Sequence, residues 1–81
     1  MQKLKITITG ESVHNVGYRL FLLDEAEARF IPYFDARNTK IAGKQGIVAL
    51  AGGDEAKVKD FVEYVKSEPQ ENASVSSIEV K

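Results

Sequence analysis

The chain has 81 residues, a formal net charge of -1 and a hydrophobic share of 43%. That length supports a single domain over residues 1–81 with a thin core, since a chain of this size buries roughly 60–65% of the surface it exposes when unfolded. With no cysteine and one histidine, disulfides and a cysteine nucleophile are excluded and zinc or iron sites are disfavoured; the lack of a basic block argues against nucleic-acid binding by bulk charge, and no apolar run nears the ~20 residues of a membrane span.

No signal-peptide core opens the chain, so a soluble cytoplasmic protein is the expectation. Lys3-Leu4-Lys5-Ile6-Thr7-Ile8-Thr9 alternates strictly. This predicts a strand with Leu4, Ile6 and Ile8 on its buried face, ending at Gly10. Gly10-Glu11-Ser12-Val13-His14-Asn15 reads as a loop leading into Val16-Gly17-Tyr18-Arg19, where helical spacing begins. The spacing predicts a helix from Tyr18 to about Arg29, with Asn15 as its N-cap. Val16, Leu20, Leu23 and Phe30 are expected along its apolar stripe, which Phe21 and Leu22 widen, and Pro32 bars its continuation.

Tyr33 to Arg37 predicts a second strand, with Phe34 and Ala36 on one face and Tyr33, Asp35 and Arg37 on the other. Asn38 to Gln45 reads as a connector with Gly43 as a turn position. Gly46 to Ala51 predicts a third strand, ended by Gly52-Gly53. Asp54 is expected to cap a second helix running to about Ser67, with Val58, Phe61, Val62 and Val65 buried and Pro69 as its stop. Val75 to Val80 completes the pattern as a last strand with Ile78 and Val80 inward.

The order β-α-β-β-α-β predicts an α+β fold of the ferredoxin-like split βαβ type. Its four-stranded antiparallel sheet is expected to carry both helices on one face, burying Leu4, Ile6, Ile8, Val48 and Leu50. The fold alone assigns no function.

The chemistry is concentrated at the step from the first strand into the first helix. A loop offers backbone N–H groups, a helix N-terminus adds partial positive charge, and Arg19 in the first turn adds a full one. The helix dipole disfavours a cation there, so an anion accounts for Arg19 better than a plain surface charge does. Asn38, taken alone, reads as a turn residue after a strand. The topology can nevertheless bring it to the end of the sheet that carries the loop, which makes Arg19 and Asn38 candidates for a shared site.

Two motifs then make a resemblance specific. Val13-His14-Asn15-Val16-Gly17-Tyr18-Arg19 is similar to the Val-Gln-Gly-Val-Gly-Phe-Arg run of the acylphosphatase family, and Arg37-Asn38-Thr39 is similar to the family's basic-Asn-Thr ending of strand two. Gly53-Asp54-Glu55, Phe61, Pro69 and the Ala73-x-Val75-x-x-Ile78-x-Val80 ending extend the similarity over nearly the whole chain. The resemblance implies an enzyme that hydrolyses acyl phosphates to carboxylate and phosphate. It implies Arg19 and loop N–H groups between Val13 and Tyr18 (the set Val13, His14, Asn15, Val16, Gly17 and Tyr18) on the phosphate, and Asn38 orienting the water. Acyl phosphates carry a good leaving group, so positioning and charge stabilisation suffice. No metal, cofactor, nucleic acid or membrane partner is expected, and the chain is expected to be a monomer.

The chain also departs from the family pattern. Glu11 and Ser12 stand where the family usually has one residue, His14 replaces the glutamine and Asn15 the glycine. Glu11 would weaken anion binding if it faced inward, whereas Asn15 tolerates the left-handed conformation a glycine would adopt. For His14 the sequence leaves open a donor to the phosphate, a contact nearby, or solvent. The connector Thr39–Gln45 is longer than in compact members and could cover or enlarge the site. The alternative reading is a non-catalytic anion-binding or protein-interaction module on the same fold. An RNA-recognition domain of similar topology is disfavoured, because strand three carries no stacking aromatic and the charge is not basic.

Overall fold

A computed structural model of the chain describes residues 2–14, 16–68 and 73–81. The alternating N-terminal segment forms β1 (Gln2–Ser12), followed by α1 (Tyr18–Ala28), β2 (Tyr33–Ile41), β3 (Lys44–Gly53), α2 (Glu55–Ser67) and β4 (Ser74–Val80). The strands make one sheet in the order β2-β3-β1-β4, with every neighbouring pair antiparallel. This is the ferredoxin-like α+β fold.

The β1–β3 register decides which side of β3 is buried. Leu4 faces Ala51, Ile6 faces Ala49 and Ile8 faces Ile47. Ile47, Ala49 and Ala51 therefore lie under the helices with Ile6 and Ile8, all fully buried. Val48 and Leu50, expected in the core, lie instead on the open face. The run Ile47-Val48-Ala49-Leu50-Ala51 is apolar throughout, so its own alternation could not choose a side. The small alanines take the helix side, where Val58, Phe61 and Val65 of α2 pack down on the sheet core.

The segment expected to be a connector is a hairpin. β2 continues through Asn38 to Ile41, and β3 starts at Lys44. Only Ala42 and Gly43 turn the chain, both with positive φ (53° and 81°), as a two-residue type I′ turn requires. The extra length before strand three thus extends the paired strands and forms no lid.

α1 also buries a different stripe from the one its sequence suggested. Tyr18, Leu22 and Ala26, each four residues apart, are the buried positions, whereas Leu20 is 62% exposed and Phe30 is 77% exposed. Phe30 escapes the stripe because the helix has already ended. The Ile31 N–H bonds the Ala26 carbonyl and the Phe30 N–H bonds the Glu27 carbonyl, with Phe30 itself at φ 54°. That is a Schellman motif with phenylalanine in the left-handed position that glycine usually fills. It stops the helix three residues before Pro32.

α2 begins as expected, with the Asp54 side chain accepting the Lys57 N–H at 3.2 Å. Its stop, Pro69, lies outside the described residues. The two helices are clasped by Arg29 at the end of α1. Its guanidinium bonds Glu25 at 2.7 Å and Asp60 of α2 at 2.8 Å and stacks 4.5 Å from the centre of the Tyr64 ring. The hydrogen bond to Glu25, aided by Asp60 and opposed by partial burial, holds the Arg29 pKa above the ordinary arginine value.

Candidate functional site

Gly10 fixes where the loop leaves the sheet. The β1–β4 pairing shifts register on both sides of it, and a Cβ there would run into the Ser74 carbonyl. The backbone of β4 therefore lies directly on this position, and a side chain is excluded. Beyond it Glu11 turns away from the loop and pairs with Lys44 at 3.6 Å.

The loop is pinned by apolar side chains that point inward. Val13 and Tyr18 are fully buried, and Val16 packs against the same core. The Tyr18 ring meets Phe21 edge-on at 5.9 Å. The Val13 and Tyr18 side chains are thus removed from the surface, whereas Val16 stays partly exposed. Gly17, with φ 79°, is the residue at the α1 N-cap position. Its left-handed conformation is one that an L side chain adopts at a cost. Asn15, expected as the cap and as part of the anion loop, lies outside the described residues.

His14 has a defined place. Its Nε2 lies 2.8 Å from the Gly46 carbonyl, to which it donates. A carbonyl can only accept, so Nε2 carries the proton. The ring is thereby a strut from the loop to β3. The backbone N–H groups of Val13 and His14, expected to face an anion, both donate to Oε1 of Gln45 at 2.9 Å. Gln45 stands opposite Gly10 in the β1–β3 ladder and opposite Lys40 in the β2–β3 ladder. Local pattern places Gln45 in a connector. Recognising Ala42-Gly43 as a two-residue turn would have placed it on a strand opposite the loop's origin.

Arg19 sits in the first turn of α1, ahead of the first helical bond from the Phe21 N–H to the Gly17 carbonyl. It is exposed, and among the described residues no ion pair holds it. It lines a groove of about 350 Å³ with Leu20, Leu23, Phe34, Asp35 and Ala36, between α1 and the edge strand β2. Asn38 lies on that strand two residues beyond Ala36, on the same face. The ladder sets Asn38 opposite Ile47 and Ile47 opposite Ile8, so this is the helix-covered face. Because β2 runs parallel to β1, Asn38 also lies toward the end of the sheet from which the loop departs. As an edge-strand residue it stays exposed there. Among the described residues, no cluster of histidine and carboxylate side chains could hold a metal ion, and no helix is long and apolar enough to cross a membrane.

An α+β sandwich of this topology, with Arg19 in the first turn of its first helix, defines a class of fold that hosts many functions. Comparison with known proteins narrows that class. The acylphosphatase family model matches residues 4–81, and the chain belongs to the acylphosphatase family. Among solved structures, the acylphosphatase from Bacillus subtilis is similar at 29% identity and a TM-score of 0.70, over 100% of this chain and 83% of that one. Full-length HypF, in its phosphate- and nucleotide-bound form, matches at 24% identity and a TM-score of 0.83. The match covers 99% of this chain but only 10% of that protein, so the chain spans about a tenth of its length. The de novo designed protein Foldit4 matches at 16% identity with a TM-score of 0.70 over 98% of this chain and 93% of that one. A designed fold is thus as similar in shape as the Bacillus enzyme, so shape by itself carries no activity. No curated protein sequence matches the chain.

Proposed function

We propose that this protein is an acylphosphatase that hydrolyses carboxyl–phosphate mixed anhydrides, with Arg19 holding the phosphate and Asn38 orienting the attacking water. The observation that carries the reading is Arg19 itself: a guanidinium in a helix's first turn, where the dipole disfavours it, with no carboxylate partner among the described residues. A bound phosphate dianion offsets that arrangement through charge-assisted hydrogen bonds. In the reaction the water oxygen bonds to phosphorus and the bridging P–O bond breaks. The carboxylate leaves with the electron pair, and the water protons end on the phosphate product. The side-chain amide of Asn38 can accept a proton-bearing O–H while presenting its own N–H groups, which suits it to orient water without taking a proton. Family membership over residues 4–81 supports the same reading.

The test is hydrolysis of benzoyl phosphate at neutral pH, followed by loss of the anhydride. Turnover well above the spontaneous rate supports the enzyme. A rate equal to the spontaneous one overturns it.

One observation favours the second reading, a non-catalytic anion-binding module. Two of the loop N–H groups are already taken by Gln45, so a loop that serves only to hold its own shape is self-consistent. Titration with inorganic phosphate, followed on the amide resonances of residues 13–19, separates the two. Binding without turnover of benzoyl phosphate selects the module.

A further inference from the structure

A single oxygen holds two consecutive donors of the loop. The N–H groups of Val13 and His14 both reach Oε1 of Gln45 at 2.9 Å. Adjacent backbone N–H groups that converge on one point are the arrangement that receives an oxyanion. Here the chain supplies the oxygen from its own β3. Gln45 also stands among the residues of the candidate site. Ile47 lies under the helices, and Gln45, two residues earlier on β3, shares that face of the sheet. On β2 the partners of Ile47 and Gln45 are Asn38 and Lys40. Asn38, Lys40 and Gln45 therefore sit on one face, at the end of the sheet from which the loop departs. The loop keeps a further tie that does not pass through the Gln45 side chain, because the His14 ring is bonded to the Gly46 carbonyl at 2.8 Å.

We propose that the Gln45 carboxamide oxygen stands in for a phosphoryl oxygen on the Val13 and His14 N–H groups, so that a bound phosphate displaces it and Gln45 sets how tightly the loop holds the phosphate. The inference rests on the reading of this loop as a phosphate site, which the enzyme and the anion-binding module share. The carboxamide oxygen is neutral. A phosphoryl oxygen is charged, and charge-assisted hydrogen bonds are roughly twice as strong as neutral ones. Phosphate therefore wins the exchange, with Arg19 and the exposed Lys40 on its side. The Gln45 side chain swings aside about its own stem, and the His14 strut keeps the loop on the sheet while it does so. The apparent affinity for phosphate is lowered by the fraction of time that Gln45 holds the donors. In an enzyme this competition weakens substrate and transition state alike, so it belongs in KM.

The experiment is a titration with inorganic phosphate, followed by NMR on the backbone amides of residues 13–19 and on the side-chain amide of Gln45. In the wild type, the Gln45 side-chain amide and the Val13 and His14 amides are expected to shift together and saturate at the same phosphate concentration. Gln45→Asn draws the carboxamide back from the loop, and Gln45→Ala removes it. Both are expected to bind phosphate about threefold to tenfold more tightly than the wild type, the net worth of an intramolecular hydrogen bond. A glutamine that only braces the loop gives the opposite sign, since loosening the loop costs affinity. Equal or weaker binding by the two variants overturns the proposal. So does a wild-type titration in which the amides of residues 16–19 saturate while those of Val13, His14 and the Gln45 side chain stay in place. Absence of phosphate binding in all three proteins overturns it as well. Benzoyl phosphate turnover is assayed separately. A spontaneous rate together with the expected order of phosphate affinities overturns the acylphosphatase reading and leaves this inference standing.

Discussion

The carboxamide oxygen of Gln45 receives the backbone N–H of His14 at 2.9 Å from across the sheet, and the same oxygen receives the N–H of Val13. The His14 ring closes the connection one residue further along β3, at the Gly46 carbonyl. Three hydrogen bonds therefore tie the first half of the loop to the β2–β3 hairpin. The loop's shape depends on residues about thirty positions away in sequence, and the long hairpin is what carries Gln45 to it.

Gln45→Leu removes the acceptor and leaves two partly buried N–H groups without it. It is expected to destabilise the protein by about 1–3 kcal/mol in urea unfolding. Gln45→Glu keeps an acceptor, so its stability should stay near wild type. Its added negative charge near the loop is expected to raise KM for an acyl phosphate by about tenfold, corresponding to about 1.4 kcal/mol. Equal KM values for Gln45→Glu and wild type would separate this residue from the anion site.

Gly10→Ala places a Cβ against the Ser74 carbonyl, which belongs to backbone and cannot swing aside. The β1–β4 pairing shifts register at this position. The variant is expected to lose about 2–4 kcal/mol, in the range of severe overpacking. A thermal melt within 2 °C of wild type, on the order of 0.5 kcal/mol or less, would contradict the close approach.

Phe30→Gly relieves a left-handed phenylalanine that is 77% exposed and whose ring lies 5.4 Å from the Lys57 ammonium. Glycine fits the C′ position of a Schellman motif without a Cβ penalty. The substitution is expected to stabilise the protein by about 0.5–1 kcal/mol, read as a higher urea midpoint at unchanged slope. A lower midpoint would mean that the Lys57 contact outweighs the backbone cost.

Arg29→Met keeps much of the aliphatic stem and removes the charge that joins Glu25, Asp60 and Tyr64. Asp60 is well exposed, so the loss is modest, about 1–2 kcal/mol for the ion pairs and the ring contact together. The raised pKa of Arg29 sets the sign of its pH dependence. A cation whose folded pKa lies above its unfolded one contributes fully below the unfolded value and loses that contribution only as pH rises through the folded one. Both values lie beyond the working range, so the stability difference between wild type and Arg29→Met should not change through titration of Arg29 itself at neutral to mildly alkaline pH. It should shrink with added salt.

The order and type of all six elements were legible in local pattern: the alternation of Leu4, Ile6 and Ile8, the stripe Val58-Phe61-Val62-Val65 and the Asp54 cap. What escaped was decided by partners distant in sequence. The side of β3 that is buried depends on its register with β1, which five consecutive apolar residues cannot announce. The hairpin turn escaped because Ala42 is an unusual residue for the first position of a type I′ turn. The exposed Leu20 and Leu23 look like core in the sequence because helical spacing reports that a face is apolar, not what covers it. Arg19 and Asn38 stood out through their motifs, and the structure sets both on the helix-covered side of the sheet. Gln45 carried no local signal; its role follows from the ladder alone.

The central claim is that Arg19 holds a phosphate undergoing hydrolysis. The direct measurement is kcat/KM for benzoyl phosphate in the wild type and in Arg19→Ala, side by side, with folding of both checked by circular dichroism. The account predicts clear turnover by the wild type and a loss of about 100- to 1000-fold in the variant, the scale on which one preorganised charge-stabilising group acts. Full activity in a folded Arg19→Ala protein would contradict it.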